Sequence, residues 1–323
     1  MKILFIGGTG NISSDCAALL HQRGHEISVV TRGHSPVPAA YRAVIGDRRD
    51  LAVLAGGTAD VVINFLGYDL SDVEVDYAVF AGKIRQYIFI SSATVYAKPH
   101  RQLPITEDGP KGNLFSDYAQ KKWAMEQWLA ARPEFPVTVV RPSHTYACRW
   151  FPNVVSSAGW TFPARLVAGQ PVFVPNDGAN PWTLTHTSDF AVGLAGLVDN
   201  DKAIGEAFHI TSDEALPWNK IYAETAAALG VAPVIEQIPV EFLCAKFPEF
   251  IGGLKGDKAE PGVFDNAKIK KFVPDFVCRK SFAAGIRESV AWYAAHPGEK
   301  IIVAKTNARF DEALAAWRSA QLT

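Results

Sequence analysis

The sequence predicts an α/β protein built on a doubly wound parallel sheet, followed by a smaller C-terminal α/β lobe. In the first half, short β-branched runs alternate with longer amphipathic segments. Several of these runs are apolar on both faces, as central parallel strands are when helices cover both sides of a sheet. After Arg141 the alternation gives way to Pro- and Gly-rich stretches with shorter elements, which indicates a second lobe.

The expected elements follow in order along the chain. Strands are expected at Lys2–Ile6, Glu26–Val30, Ala43–Ile45, Asp60–Phe65, Gln86–Ser91 and Pro136–Arg141, with helices at Ser13–Arg23, around Val73–Lys83 and at Asp117–Ala131. Later strands are expected near Pro171–Val174, Thr183–His186 and Ala207–Ile210, and later helices at Ser188–Leu197, Pro217–Leu229, Ser281–Ala295 and Phe310–Ala320. This pattern predicts a sheet domain of residues 1–145, joined by about 183–213, and a lobe formed by 146–182 and 214–323.

Composition excludes several classes of protein. The 323 residues are 48% hydrophobic and 20% charged, which is ordinary for a globular chain and does not indicate disorder. The 32 basic and 33 acidic side chains nearly cancel, so no global field attracts nucleic acid or a membrane surface. Four well-separated cysteines favour a reducing cytoplasm over a disulfide framework. No apolar run suits a signal peptide or membrane span, and no ligand spacing predicts a metal site.

A glycine turn follows the first expected strand. The run Gly7-Gly8-Thr9-Gly10-Asn11-Ile12-Ser13 leads from that strand into a helix, which is the context that a dinucleotide fingerprint requires. Gly7 permits a tight turn, and Gly10 lets backbone N–H groups approach a pyrophosphate at the positive end of the helix. Asn11 and Ile12 are candidate contacts within the same turn. A glycine-rich turn that binds no ligand is the alternative.

Other candidate cofactor contacts follow the next strands. No acid ends the second strand, where one would usually hold the adenosine ribose, and Arg32 stands there instead. Arg32 can pair with a 2′-phosphate, which favours NADP(H) over NAD, or it can simply be solvated. Asp47, after the third strand, can accept a hydrogen bond from an adenine amino group or cap the next helix, and Arg48 is a candidate beside it. Leu66 and Gly67 are further candidates after the fourth strand.

Three polar residues are candidates for catalysis. Ser92 lies at the carboxyl end of a predicted central strand, the edge where open α/β sheets place their sites. Tyr118 and Lys122 share a helical face because they are four residues apart, so the ammonium can lower the pKa of the phenol. Tyr118 then serves as acid or base, Ser92 bonds the substrate oxygen, and Lys122 also holds the nicotinamide ribose. Packing, solvation and turn chemistry are the alternatives.

The ordered set Gly7/Gly10, Asp47, Ser92, Tyr118/Lys122 and Arg141-Pro142 resembles the extended short-chain dehydrogenase/reductase superfamily, and specifically the NAD-dependent epimerase/dehydratase family. The likeness continues through Asp177-Gly178 to Trp292-Tyr293. It implies a Rossmann domain that binds NAD(P), with Pro142 among the contacts, and a C-terminal substrate lobe. It also implies Ser92, Tyr118 and Lys122 as the catalytic triad, and homodimers through the paired helices near Val73–Lys83 and Asp117–Ala131.

Two departures from the family pattern narrow the chemistry. Ala93 and Thr94 stand where the dehydratases carry an acidic pair, so water elimination is disfavoured while epimerisation and alcohol/carbonyl redox remain. Trp182 falls near the place of an arginine that grips the diphosphate in many nucleotide-sugar epimerases. A tryptophan can stack on a sugar or pack in the core, and Arg149 or Arg165 can supply the missing charge.

Thr94, His144 and Trp182 are therefore the candidate substrate contacts, with a structural role as the alternative for His144. The leading hypothesis is an NAD(P)-dependent epimerase or dehydrogenase/reductase that acts on a carbinol carbon of a sugar, nucleotide sugar or similar polyol. The other hypothesis is a cofactor-sensing or RNA-associated protein that keeps the fold without the chemistry. Tyr118 and Lys122 together with the near-neutral charge favour the enzyme.

Overall fold

The computed structural model describes residues 1–322. Within that range, strands β1 to β12 are Lys2–Ile6, Glu26–Thr31, Arg42–Ile45, Val61–Asn64, Gln86–Ile90, Val137–Arg141, His144–Tyr146, Val172–Pro175, Pro181–His186, Ala207–His209, Ala215–Pro217 and Ile235–Ile238. Helices α1 to α11 are Ser13–Gln22, Leu51–Ala55, Leu70–Phe80, Asp117–Ala130, Thr161–Val167, Thr187–Leu197, Trp218–Ala228, Val240–Lys246, Ala267–Phe272, Phe282–Ala295 and Ala304–Ala320. No helix of residues 1–322 combines the length and apolar character needed to cross a bilayer.

A seven-stranded parallel sheet in the order β10-β6-β5-β4-β1-β2-β3 forms the centre, which confirms the doubly wound architecture. Its side chains alternate between two cores. Phe5 and Ile63 pack with α1 and α6 on one face, whereas Leu4 and Val62 pack with α3 and α4 on the other. The strand order reverses between β1 and β4, and such a switch point opens a crevice at the carboxyl ends of the strands.

The smaller lobe contains a three-stranded sheet, β11-β9-β7, and a two-stranded sheet, β12-β8. Its core is rich in aromatic side chains, among them Phe162, Phe173, Trp218 and Tyr222, and is separate from the two cores of the large sheet. The chain returns to the large sheet through α6 and β10, while β9 stays with the lobe.

The expected elements are present with small shifts at their ends, and local hydrogen bonds explain some of them. Helix α3 begins at Leu70, before the expected Val73, because Asp69 and Asp72 form a reciprocal capping box there. Helix α2 begins at Leu51, since the Asp50 side chain accepts from the Ala52 amide. The sequence patterns did not predict β7, β11, β12, α5, α8 or α9, which are short segments of three to seven residues.

Candidate active site

A cleft of about 1000 Å³ runs from the glycine turn to the lobe. Most of the predicted site residues line it: Gly7, Gly10, Asn11, Ile12, Leu66, Ser92, Thr94, Tyr118, Lys122, Pro142, His144 and Trp182. Most of them come from the carboxyl ends of strands in the parallel sheet and from the starts of α1 and α4, whereas His144 and Trp182 lie at the beginnings of β7 and β9 in the lobe. Arg32, Asp47, Arg48 and Gly67 are outside this lining.

The glycine turn is shaped for a ligand that approaches the backbone. Gly7 has a φ of +87°, and a Cβ there would lie 2.5 Å from Cγ of Leu66. The Gly7 amide donates to the Val30 carbonyl at 3.1 Å, which holds the turn against β2. No side chain caps the N-terminus of α1, so its positive end is left for an anion. These features fit the pyrophosphate of a dinucleotide.

Arg48 is not among the residues that line the cleft, and its side chain has a structural role here; its contact with a cofactor remains a prediction. Its guanidinium is buried and pairs with the carboxylates of Asp72 and Asp76 on α3. Burial raises the pKa of Asp76 to about 6, and hydrogen bonds from its neighbours oppose that rise. Asn64 donates to Asp76 at 2.7 Å and accepts from the Leu66 amide at 2.7 Å, so this buried network positions the loop that lines the cleft.

The other three predicted contacts outside the lining have different surroundings. Arg32 and Asp47 are exposed at the ends of β2 and β3. The Asp47 carboxylate accepts a hydrogen bond from the Arg49 amide at 2.8 Å and so stabilises the turn after β3. The residue that caps α2 is Asp50. Gly67 is buried, and a Cβ there would lie 2.6 Å from the Phe89 ring. Contacts of these residues with a cofactor remain predictions.

The catalytic candidates lie together at the edge of the sheet. Ser92 Oγ accepts from the Thr94 amide at 3.2 Å and from the Thr94 hydroxyl at 2.8 Å, which leaves the serine proton free for another acceptor. Lys122 is buried and donates to the Ile90 carbonyl at 2.8 Å. Its ammonium lies 5.7 Å from the centroid of the Tyr118 ring. Burial lowers the pKa of Lys122 to about 7, while Glu126 opposes the shift.

The pKa of Tyr118 differs from the sequence prediction. The residue is 42% exposed, yet its hydroxyl faces the cleft, where loss of water raises the pKa to about 12. A hydrogen bond with Ser92 lowers the pKa, and the charge of Asp257 raises it further. The predicted lowering by Lys122 is therefore wrong for this arrangement, because the ammonium lies by the ring and bonds the Ile90 carbonyl.

A buried ion pair joins helix α4 to the sheet. Glu126, one turn after Lys122 on α4, accepts three hydrogen bonds from the Arg141 guanidinium, at 2.6, 3.1 and 3.2 Å. The Ser91 hydroxyl donates to the same carboxylate, and Arg141 also donates to the Tyr96 hydroxyl at 2.9 Å. These contacts join α4, which carries Lys122, to the ends of β5 and β6, next to Ser92.

Tryptophan and histidine form the lobe side of the cleft. His144 lies 6.5 Å, between ring centroids, from each of Trp150, Trp182 and Trp218. Its Nε2 is hydrogen-bonded to Ser157 Oγ at 3.0 Å. Burial lowers the pKa of His144 to about 3, so the imidazole is neutral at physiological pH.

Trp182 is held as part of the wall. It is 3% exposed, and its indole N–H donates to the carbonyls of Lys258 at 3.2 Å and Glu260 at 2.9 Å. The two arginines considered as substitutes for the diphosphate arginine point elsewhere. Arg149 stacks on Trp292 at 4.7 Å, and the buried Arg165 pairs with an aspartate in the lobe at 2.8 Å. Neither of them lines the cleft.

Sequence reasoning missed other residues that line the cleft. Lys98, Asp257 and Lys258 contribute charge, and the segments 150–158 and 248–258 form much of the lobe wall. Lys98 is only six residues after Ser92, so its position in the sequence could have predicted that it lies near the same edge of the sheet. Asp257 lies in a π-helical turn, Leu254–Lys258, that no pattern predicted. Among residues 1–322, no group of three or more His, Cys, Asp and Glu side chains is arranged to hold a metal ion.

The fold and the cleft define a protein of the extended short-chain dehydrogenase/reductase type. Residues 3–211 match the model of the NAD dependent epimerase/dehydratase family, and the chain belongs to that family. This confirms the resemblance found in the sequence. Its relatives include proteins named as a reductase and as a UDP-glucose 4-epimerase.

Two curated relatives cover most of the chain. The 2'-dehydrokanamycin reductase of Streptomyces kanamyceticus is 29% identical over 85% of this chain and 80% of its own length. Chloroplast stem-loop binding protein of 41 kDa b, from Arabidopsis thaliana, is 30% identical over 75% of this chain and 67% of its own length. Among solved structures, the UDP-glucose 4-epimerase from Bifidobacterium longum in complex with NAD+ and UDP has a TM-score of 0.73 and 19% identity, covering 93% of this chain and all of its own.

Proposed function

We propose that this chain is an NAD(P)-dependent enzyme that interconverts an alcohol and a carbonyl on a sugar-like substrate, with Ser92, Tyr118 and Lys122 as its proton relay. The observation that carries the proposal is that these three side chains line the same cleft as the glycine turn. A dinucleotide and a substrate can therefore meet beside an acid/base group.

In this reaction the nicotinamide ring, when bound, supplies or accepts the hydride. Tyr118 Oη donates a proton to the substrate oxygen during reduction and takes one back during oxidation. Ser92 donates its free proton to the same oxygen and so fixes the position of the substrate. Lys122 lies beside the Tyr118 ring, with its ammonium 5.7 Å from the ring centroid, and is placed to hold the nicotinamide ribose when the cofactor is bound.

Net oxidation or reduction of the substrate, with release of the product, is favoured over water elimination and over epimerisation. Ala93 and Thr94 provide no carboxyl group for elimination. Trp182 is neutral and buried where a diphosphate-binding arginine is expected in nucleotide-sugar epimerases. The Streptomyces relative that matches 85% of the chain is named as a reductase, and this supports release of the oxidised or reduced product.

The preferred cofactor in this proposal is NADP(H). Arg32 follows β2 at the position where an acidic residue would hold the adenosine ribose of NAD. The proposed assembly is a homodimer through α3 and α4.

Tyr118→Phe tests the relay. The variant keeps the cofactor affinity but loses the proton that neutralises the substrate oxygen, so turnover is expected to fall by about 10²–10⁴-fold. The measurement is absorbance of the reduced nicotinamide with a panel of keto sugars and sugar alcohols, together with thermal unfolding in the presence of each nucleotide. Tyr68→Phe removes a hydroxyl from the same cleft and is the control. Wild-type turnover in Tyr118→Phe would remove Tyr118 from the mechanism.

A second candidate function is RNA association, which the name of the Arabidopsis relative favours. The net charge of -1 argues against it, since RNA binding by counterion release needs a basic surface. Failure of every nicotinamide nucleotide to stabilise the fold, combined with salt-sensitive binding of a stem-loop RNA, would favour this candidate.

A further inference from the structure

The lobe end of the cleft carries charged side chains that the proposed relay does not use. Lys98, Asp257 and Lys258 line it, and Asp257 is close enough to Tyr118 for its charge to raise the pKa of that phenol. Charges in a substrate cleft are costly to desolvate, so each of them needs a partner. Their partners differ.

Asp257 and Lys258 neutralise each other. Their charged atoms are 3.1 Å apart, and each side chain is 19% exposed. The Lys258 carbonyl accepts from the indole N–H groups of Trp182 at 3.2 Å and Trp218 at 3.0 Å, which fixes the backbone that carries the pair. This pair is therefore a rigid dipole on the wall of the cleft.

Lys98 has no carboxylate at ion-pair distance among residues 1–322; burial lowers the pKa of its ammonium, and the charges of Asp257 and Glu260 partly oppose that shift. Its Nζ lies 2.7 Å from Nε2 of His100, and no carboxylate forms an ion pair with it in the part of the chain described. Burial and the charge of Lys98 lower the pKa of His100 to about 3, so this histidine is a neutral acceptor of one ammonium proton. The other two ammonium protons have no protein acceptor in residues 1–322.

We propose that Lys98 is an anion subsite that binds a carboxylate or phosphate carried by the substrate itself. This rests on the proposed function, because it assigns a substrate class to the same cleft. A single ammonium suits one anionic group, and a charge-assisted hydrogen bond is strong where water is partly excluded. The substrate class is thus a sugar acid or a sugar monophosphate, and the Asp257–Lys258 pair offers both an acceptor and a donor to its hydroxyl groups.

The surroundings argue against a nucleotide diphosphate at this position. Trp182 is neutral, while Arg149 and Arg165 bind other parts of the lobe. Lys258 is already paired with Asp257, so at the lobe end Lys98 is the lysine left to meet two phosphates among the cleft-lining residues described.

Calorimetric titration of the cofactor-saturated protein tests the subsite. The probes are D-glucose, D-glucuronate, D-glucose 6-phosphate and UDP, which separate a neutral sugar, a carboxylate, a monophosphate and a diphosphate. We expect at least one of the two singly substituted anionic sugars to bind about ten-fold or more tightly than glucose. Lys98→Met should abolish this preference, Lys98→Arg should retain part of it, and Lys202→Met, at an exposed lysine outside the cleft, should leave it unchanged.

Several outcomes would overturn the subsite. These are equal binding of glucose and both anionic sugars, a preference that persists in Lys98→Met, no binding of either anionic sugar, or UDP binding that exceeds both and ignores Lys98. The melting temperature of each variant shows whether it folds, and Lys98→Arg remains informative if the methionine variant does not. Because the readout is binding, it is independent of turnover: an active enzyme without the preference refutes the subsite alone, and a preference without hydride transfer refutes the proposed function alone.

Discussion

The two sides of the cleft present different kinds of atoms. On the sheet side, Gly7 and Gly10 expose backbone, and the uncapped start of α1 offers amide groups. On the lobe side, side chains form the surface: the ring of His144 lies among tryptophans, and Lys98 has no carboxylate at ion-pair distance in residues 1–322. The first side has the geometry that a pyrophosphate needs in any dinucleotide-binding protein. The second side is where this chain can differ from its relatives.

This difference has a consequence for mutations. Where the cleft surface is formed by backbone atoms, a substitution can alter it only by changing the backbone conformation. Replacement of its glycines should therefore weaken both folding and cofactor binding. A side-chain surface can be altered one group at a time while the fold persists. The predictions below test this contrast, and they begin with the largest effect.

Gly7→Ala should destabilise the protein by about 3 kcal/mol and abolish stabilisation by the cofactor. Alanine at a φ of +87° is strained, and its Cβ would lie 2.5 Å from Cγ of Leu66. Gly24→Ala is the matched control, because Gly24 has a φ of +86° but no atom within 4 Å of an added Cβ. The control should lose only about 1 kcal/mol and keep cofactor binding.

Denaturant unfolding of both variants, with and without NADP+ and NAD+, measures this difference. Similar losses in the two variants would mean that strain alone is responsible and that Leu66 moves aside. Retained cofactor stabilisation in Gly7→Ala would mean that the sheet side of the cleft does not bind the dinucleotide through this turn.

His144→Phe should make the protein less sensitive to acid. The unfolded chain protonates this histidine below pH ~6.5, whereas the folded chain does so only near a pKa of about 3. Between those values the unfolded state binds more protons, so the histidine lowers stability as the pH falls. At pH ~5 the wild type should lose ~2 kcal/mol, relative to pH ~7, that the phenylalanine variant keeps.

In this variant a benzyl ring would occupy the space between the tryptophans without a titrating group. The check is the free energy of unfolding of both proteins across this pH range, with His34→Phe, at an exposed histidine, as control. Identical pH profiles for His144→Phe and wild type would show that the imidazole is protonated in the folded protein or reached by water.

Local sequence patterns were enough to predict which residues lie on the sheet side of the cleft. A strand, a glycine turn and a helix are contiguous from Lys2 to Gln22, and the Tyr118/Lys122 spacing lies within one helix. The doubly wound sheet followed from the same repeated pattern.

The remaining features depend on contacts between distant segments. Arg48 is buried because Asp72 and Asp76, on a later helix, surround its guanidinium. The pKa of Tyr118 is raised because its hydroxyl loses water in the cleft and because Asp257 is near. The short strands of the lobe exist through pairing with each other, as in β7 with β9, and their few residues carry no periodicity of their own.

Arg32→Ala should have the smallest effect of the three, and it tests whether a side chain also matters on the sheet side. Arg32 is exposed just beyond β2, whose Val30 carbonyl accepts from the Gly7 amide, so it stands beside the glycine turn. An exposed arginine is screened by solvent, and a pair with a 2′-phosphate is worth up to ~1 kcal/mol. The affinity for NADP+ should therefore fall by about five-fold while the affinity for NAD+ stays constant.

Fluorescence titration with both nucleotides at low and high salt measures these affinities, and Arg287→Ala, at another exposed arginine, is the control. The five-fold effect should shrink as salt screens the charge. An equal loss for NAD+ and NADP+ would mean that Arg32 acts through the backbone of the turn, as the glycines do. No change in affinity for either nucleotide would mean that only the backbone of the sheet side contacts the cofactor. The proposed preference for NADP(H) would then have no residue to explain it.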